Sequence, residues 1–407
     1  MVPGSFLQRR GAALFGYVGF ILLGWSGLLL PSLIRSIEHD FGQSDAGIGV
    51  LYFLTAASYA AGSFGGGVLV ERYGWRPVLG VATLLSAFGL AIQGFVPSWE
   101  LFLLASLPRG LGSGAVDGGG NGLFLDLYPT GRGRALNLLH LFFSLGAFAS
   151  PLVVGQLVDA RAPWQAILVL SGLAWLPLAA LLWIADLPGH RPAGGTQGRA
   201  PLRPLLPLLL LGTAIATYVG AEIGVSNWLV RFLDAAPLTV ATLALALFWG
   251  GLTLGRLLSA VVADRFDHAS FAIASTLVAS IALVAAILVP VLPVAIALFA
   301  FVGFAFGPVY PLIMALAGER FPSRAAAVSG FLAGTSVVGS IVYPPVAGFL
   351  SVTIGLSIAM LGMAVLGFIC AGALLVLATR TAPASSGQVA FGSSVPNAGG
   401  PGGGSDR

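Results

Sequence analysis

The sequence predicts an all-α polytopic membrane protein, with twelve transmembrane helices in two pseudo-symmetric six-helix bundles. Three observations carry this. The 407-residue chain is 57% hydrophobic and only 8% charged, against about 25% charged in an ordinary soluble domain, so its charges could not cover a soluble surface. Twelve apolar segments follow one another with charges between them, each near or above the roughly 20 residues a helix needs to cross the hydrocarbon core. The second six also repeat the first. Pro129 and Pro322, Pro151 and Pro344, and Gly155 and Gly348 all stand 193 positions apart, and "PLVVGQL" (151–157) falls on "PPVAGFL" (344–350).

The first segment, 12–34, follows Arg9 and Arg10. It is too long for a signal peptide, and without a small-residue cleavage site it is read as a retained helix. Next come 46–70, ending in "GGGVLVERYGWRP", then 77–96, and then the glycine-rich 101–127. Segments 136–157 and 164–185 complete the first bundle, residues 1–185. The stretch 186–203, rich in Pro, Gly and Arg, reads as a cytoplasmic linker. Segments 204–232, 238–262, 270–289, 292–317, 326–350 and 354–378 make the second bundle, 204–380. Residues 381–407 are low-complexity and read as a disordered tail. In lipid only helices satisfy the backbone of such runs, whatever their glycine content.

All nineteen cations are arginine. Thirteen, from Arg9 to Arg380, fall on one side of the predicted segments, and only Arg35, Arg161 and Arg231 on the other. The positive-inside rule then puts both termini and the linker in the cytoplasm of a multi-pass plasma (inner) membrane protein. The arginines form no stripe that would track nucleic acid. Cys370 is the only cysteine and the four histidines are dispersed, so neither a disulfide framework nor a metal site is indicated. There is no nucleophile–base constellation, nucleotide loop or cofactor motif. The reading is a non-enzyme without cofactor, a monomer whose partners are the lipid bilayer, a small solute and a coupling ion.

The loop "GGGVLVERYGWRP" (65–77) resembles the G-x-L-x-D-R-x-G-R-R motif of the major facilitator superfamily. Gly67, Leu69, Arg72, Gly74 and Arg76 match, Glu71 stands for the aspartate, and Trp75 replaces one arginine. The second-half copy keeps Asp264 and Arg265 but has Ala260 for the glycine, and "PRGLGSG" (108–114) resembles the family's fourth-helix pattern. More narrowly, "GSGAVDGGGNGLF", "ALNLLHLFFSLGAFASP" and "YVGAEIGVSNWLVRFL" resemble helices four, five and seven of the fucose–proton symporter family. That resemblance implies uptake of a monosaccharide coupled to protons, or to sodium in some relatives. Asp117 falls where that family keeps a membrane carboxylate, and Asn121 and Asn137 match as well. Two positions depart: the family's first-helix carboxylate is Gly27 here, and a fifth-helix amide is His140.

The residues can also be read without the family. Asp117 lies near the middle of an apolar run, where a carboxylate costs about 2.5–3.5 kcal/mol on insertion scales unless it is protonated, paired or hydrated. Such a group suits a proton carrier better than a phosphate loop, which would need a preceding strand. Asn121, one turn on, can bond either that carboxyl or a ligand hydroxyl. Glu222 is a second embedded carboxylate. Tyr218, Glu222 and Ser226 form a stripe at four-residue spacing with Asn227 and Trp228 beyond, a surface suited to sugar hydroxyls and C–H faces. Pairing of Glu222 with Arg231 is the alternative. Asn137 and His140 line a further stripe, Tyr310 is the repeat mate of Asp117, and Trp25 and Trp249 are aromatic candidates.

For gating, Gly67, Glu71, Arg72, Gly74, Arg76, Asp264 and Arg265 form a cluster able to latch one conformation, joined by the embedded cations Arg109 and Arg256. The expected function is cation-coupled transport of a sugar-like solute by alternating access between the halves. A proton-driven efflux antiporter of hydrophobic compounds and a sugar uniporter are the alternatives. A receptor or enzyme on a transporter scaffold has no support in the residues.

Overall fold

The computed structural model describes residues 6–128, 132–185, 187, 205–321 and 325–380. The expected tail lies outside them, as does the linker apart from Leu187. Among the described residues the secondary structure is helical, without strands. The helices are α1 (Phe6–Phe41), α2 (Asp45–Tyr73), α3 (Trp75–Gln93), α4 (Trp99–Leu127), α5 (Arg132–Asp159), α6 (Trp164–Leu173) and α7 (Leu176–Ile184). Then follow α8 (Leu205–Phe232), α9 (Leu238–Val262), a 3-10 turn (Ala263–Arg265), α10 (His268–Leu288), α11 (Leu292–Phe306), α12 (Val309–Arg320), α13 (Ala325–Ile354) and α14 (Leu356–Arg380).

These make twelve spans, because α6 and α7 form one broken span and α11 and α12 another. The second break falls at Gly307-Pro308, where proline lacks the N–H that would continue the helix. Eleven spans are long and apolar enough to cross a membrane. The twelfth is α4, made polar by Arg109 and Asp117. Several helices outrun their apolar segments, α1 most of all. It continues through Arg35 and Glu38 to Phe41, past the hydrocarbon, and these extra turns carry the charges described below.

Packing divides the spans into two groups. Helices α1–α7 pack on one another, as do α8–α14, and three seams join the groups: α1 on α8, α2 on α13, and α5 on α9. The glycines of "GLGSGAVDGGG" make the α2–α4 contact possible. A Cβ at Gly110 would collide with Ser58, at Gly114 with the Tyr59 carbonyl, and at Gly62 of α2 with the Leu111 carbonyl. Small residues at four-residue spacing let membrane helices approach backbone to backbone. Between α2 and α3 the chain turns at Gly74, whose φ of 83° suits only glycine without strain.

Candidate functional site

The mid-span polar side chains gather along the seams between the two groups. In α4, Asn121 Nδ2 donates to Asp117 Oδ1 (3.1 Å) and to the Asp117 carbonyl (3.0 Å), so the one-turn spacing puts amide and carboxyl together. The Tyr59 phenol of α2 lies against the same carboxyl. Facing Asp117 electrostatically from the other group is Tyr310 of α12. It also faces the ion pair between Arg256 Nη2 of α9 and Glu222 Oε1 of α8, at 3.4 Å. Glu222 is buried, whereas Arg256 keeps 29% of its side-chain surface. The Tyr218 phenol is buried beside this pair, within reach of both charges.

From α5, His140 packs edge-on against Phe20 with ring centroids 5.5 Å apart and faces Arg256 across the α5–α9 seam. Both His140 and Asn137 are exposed, in the first third of α5. The result is a carboxyl held by an amide in one group, opposite a carboxylate–guanidinium pair in the other, with phenols and an imidazole between. Such a set can hold a proton on Asp117 and offer both donors and acceptors to hydroxyls.

Other expected residues sit differently. Arg256, expected at the gate, stands in this cluster instead, and Glu222 pairs with it rather than with Arg231. Arg109 was also expected to gate. It is buried within one group, donating to the Ser26 carbonyl of α1 (2.6 Å) and to Gln93 Oε1 of α3 (3.4 Å). It clamps three helices of one group and bonds nothing in the other. Several expected binding side chains are engaged in packing. Trp25 Nε1 donates to Ser171 (2.9 Å), Trp249 Nε1 to Ser226 (2.9 Å), and the fully buried Trp228 to the Pro344 carbonyl (3.1 Å). The Asn227 carbonyl accepts from Tyr52 of α2 (2.8 Å), which places Asn227 and Trp228 in a closing seam.

At the end of the molecule holding the α2–α3 turn, Glu71, Arg72 and Arg76 are exposed. Arg72 covers the Tyr73 ring at 5.3 Å, Arg76 donates to the Ala185 carbonyl (2.6 Å), and a Cβ at Gly67 would meet open space. Asp264 and the exposed Arg265 lie in the 3-10 turn at the same end. This is the motif end.

The opposite end carries Arg35 and Arg231, two of the three exceptions to the arginine pattern. Arg231 Nε stands 2.9 Å from Glu38 Oε2 of α1 and 2.9 Å from Asp45 Oδ1 of α2, and its Nη1 is 3.1 Å from Asp234. Arg35 of α1 reaches Asp234 (3.4 Å) and donates to the carbonyls of Val230, Leu233 and Ala236, which close the C-terminus of α8. Ser351 of α13 donates to the other Asp45 oxygen. Where both partners are described, every hydrogen bond and ion pair between the two groups lies at this latched end. A signal was present: two of the three arginines on the arginine-poor side end the first and seventh segments, with Glu38 and Asp45 close by in sequence. Tyr59 had one as well, seven residues beyond Tyr52 on the same helical face.

The sequence model described as Major Facilitator Superfamily matches residues 14–232 and again 205–398. The chain is 25% identical over 369 residues, 86% of its length and 92% of the other's, to an uncharacterised MFS-type transporter of Bacillus subtilis. It is 27% identical over 374 residues to a glucose/galactose transporter of Brucella abortus, covering 86% of this chain and 88% of that one. Among solved structures, a bacterial homologue of the human lysosomal transporter Spinster, in an inward-facing and occupied conformation, superposes with a TM-score of 0.79. That match has 17% identity and covers 93% of this chain and 98% of the other.

Proposed function

Because the chain belongs to the Major Facilitator Superfamily of transporters, we propose that it carries a sugar across the membrane by alternating access, coupled to a proton on Asp117. The observation that carries this reading is the Asp117–Asn121 pair set in mid-span opposite Tyr310 and the Glu222–Arg256 pair. A half-buried mid-span carboxyl that is hydrogen-bonded but has no cation of its own is suited to gain and lose a proton. The donors and acceptors around it suit hydroxyls more than a hydrophobic drug. The glucose/galactose transporter among its full-length relatives points the same way.

In this reading residues 1–185 and 204–380 are the two bodies that rock, and the motif end is cytoplasmic, following the arginine bias. The conformation described here is then inward-facing. Asp117, Glu222, Arg256, His140, Asn137, Tyr310 and Tyr218 form the site. At the motif end, Gly67, Glu71, Arg72, Gly74, Arg76, Asp264 and Arg265 form the inner gate.

The test is uptake of radiolabelled sugars into proteoliposomes, with and without an inward proton gradient. We expect one sugar to accumulate only with the gradient. Asp117→Asn should abolish accumulation yet still exchange labelled for unlabelled sugar, since binding and rocking survive without a titratable group. Accumulation driven by a sodium gradient would replace the proton. Movement of hydrophobic dyes but no sugar would make the chain an exporter.

A further inference from the structure

The latched end holds more negative than positive charge. Glu38, Asp45 and Asp234 face Arg35 and Arg231, three carboxyls to two guanidinium groups. Arg35 also satisfies the carbonyls of Val230, Leu233 and Ala236 at and just beyond the end of α8, so Arg231 is the guanidinium in contact with both Glu38 and Asp45. Its single Nε–H cannot point squarely at two oxygens that each stand 2.9 Å away.

The two carboxyls differ in their remaining bonds. Asp45 is satisfied on both oxygens, by Arg231 and by the Ser351 hydroxyl. Glu38 Oε2 faces Arg231, but its Oε1 is buried with no donor, and the side chain is only 11% exposed. The neighbouring groups are already engaged. The Tyr52 hydroxyl donates to the Asn227 carbonyl, His39 pairs with Asp40, and Asp40 accepts from Trp164 Nε1 at 2.6 Å. Half of an ionised carboxylate buried bare is costly, whereas the carbonyl oxygen of a neutral carboxyl is far cheaper to leave so. Two carboxyls within reach of each other relieve their repulsion by sharing one proton.

We propose that the Glu38–Asp45 pair is a second proton-binding site, which binds one proton from the outer medium when the latched end closes. The inference rests on the alternating-access reading. Glu38 and Asp45 belong to the same group of helices, and Arg231, Asp234 and Ser351 to the other, so opening hydrates the pair and takes Arg231 away, leaving only the hydrated Arg35 one turn back on α1. Both carboxyls then ionise, and the proton returns to the side it came from. This proton does not cross the membrane. It biases the gate, leaving the transported proton to Asp117. The closed state binds more protons, so lower outer pH favours closure and the bias fades as pH rises through the pair's apparent pKa.

The test is an electron–electron distance measurement across the latched end of the full chain in liposomes. Spin labels go on Ala160→Cys and Val291→Cys, exposed residues of opposite groups, with Cys370→Ser to remove the native thiol and Asp117→Asn to silence the mid-span carboxyl. We expect the open-to-closed ratio to rise up to tenfold per pH unit between about pH 5 and 9, the slope of a one-proton site. Glu38→Gln, which keeps shape and mimics the protonated form, should hold the latch closed with no pH slope, and Asp45→Asn should also flatten it. A pH slope that survives in both variants overturns the site. So does a wild-type ratio that sugar shifts but pH does not. A distance that responds to neither overturns the alternating-access reading, and the proton site with it.

Discussion

The latched end and the motif end of this transporter use charge in opposite ways. At the latched end, Arg35 and Arg231 reach across both the α1–α8 and α2–α8 boundaries, and Tyr52 and Ser351 add two further cross-group bonds. At the motif end, Arg76 turns back onto its own group and Arg72 covers its neighbour Tyr73. The difference teaches that a charged cluster in a two-state carrier has to be read together with the state in which its bonds are made. The motif loop has the composition of a latch, yet among the described residues it makes no bond to the other group. The cluster that is closed had no motif to announce it.

The largest expected effect comes from breaking the closed end. Arg231→Gln removes ion pairs to Glu38, Asp45 and Asp234 together. Glu38 and Asp45 are only 11% and 10% exposed, and loss of their shared cation costs about 3 kcal/mol, so the closed-to-open ratio should fall on the order of a hundredfold. Spin-label distances across that end would read the change. A variant that stays closed would transfer the latch to the apolar seam around Trp228 and Pro344.

Glycines sharpen the same comparison. Gly114 meets the Tyr59 carbonyl, whereas Gly67 at the motif end meets open space. Gly114→Ala should therefore lower thermal stability by about 1–3 kcal/mol through overpacking. Gly67→Leu should leave the stability of this state unchanged while cutting transport severalfold, because only the state closed at the motif end needs the room. Melting in detergent set beside initial uptake rates separates the two. Equal stability losses would place both glycines in static packing.

How far the sequence foretold this can be judged from particular residues. The twelve spans, the repeat and the Asp117–Asn121 contact were legible because hydrophobic length and one-turn spacing are local properties. Tyr310 opposite Asp117 was legible through the repeat offset. The Glu222–Arg256 pair was not legible, because the two lie 34 positions apart on different helices and nothing local says which of two arginines a carboxylate will meet. The N–H partners of Trp25, Trp228 and Trp249 were hidden for a similar reason. An indole looks alike in sequence whether its N–H meets a sugar or a serine on the next helix.

The smallest effect tests a helix cap beside the motif end. Asp267 caps α10, accepting from the Ser270 backbone N–H at 2.8 Å, and these bonds hold its carboxyl below the usual carboxylate range. A depressed pKa means that its contribution is present above the unfolded value and is lost as pH falls through the folded one. Asp267→Ala should cost about 1 kcal/mol at neutral pH, with less difference from wild type in acid. Transport and the latch distance should not change.

The central claim is that the two ends open in alternation around one mid-span site. It is tested most directly by measuring both ends in the same conditions. One spin-label pair spans Ala160→Cys and Val291→Cys at the latched end, and the other spans Tyr73→Cys and Phe266→Cys, exposed residues at the motif end. As a transported sugar and pH shift the populations, the account predicts reciprocal changes, with the latched-end distance lengthening in the same fraction of molecules in which the motif-end distance shortens. Ends that open together, or a motif end that never closes, would contradict it.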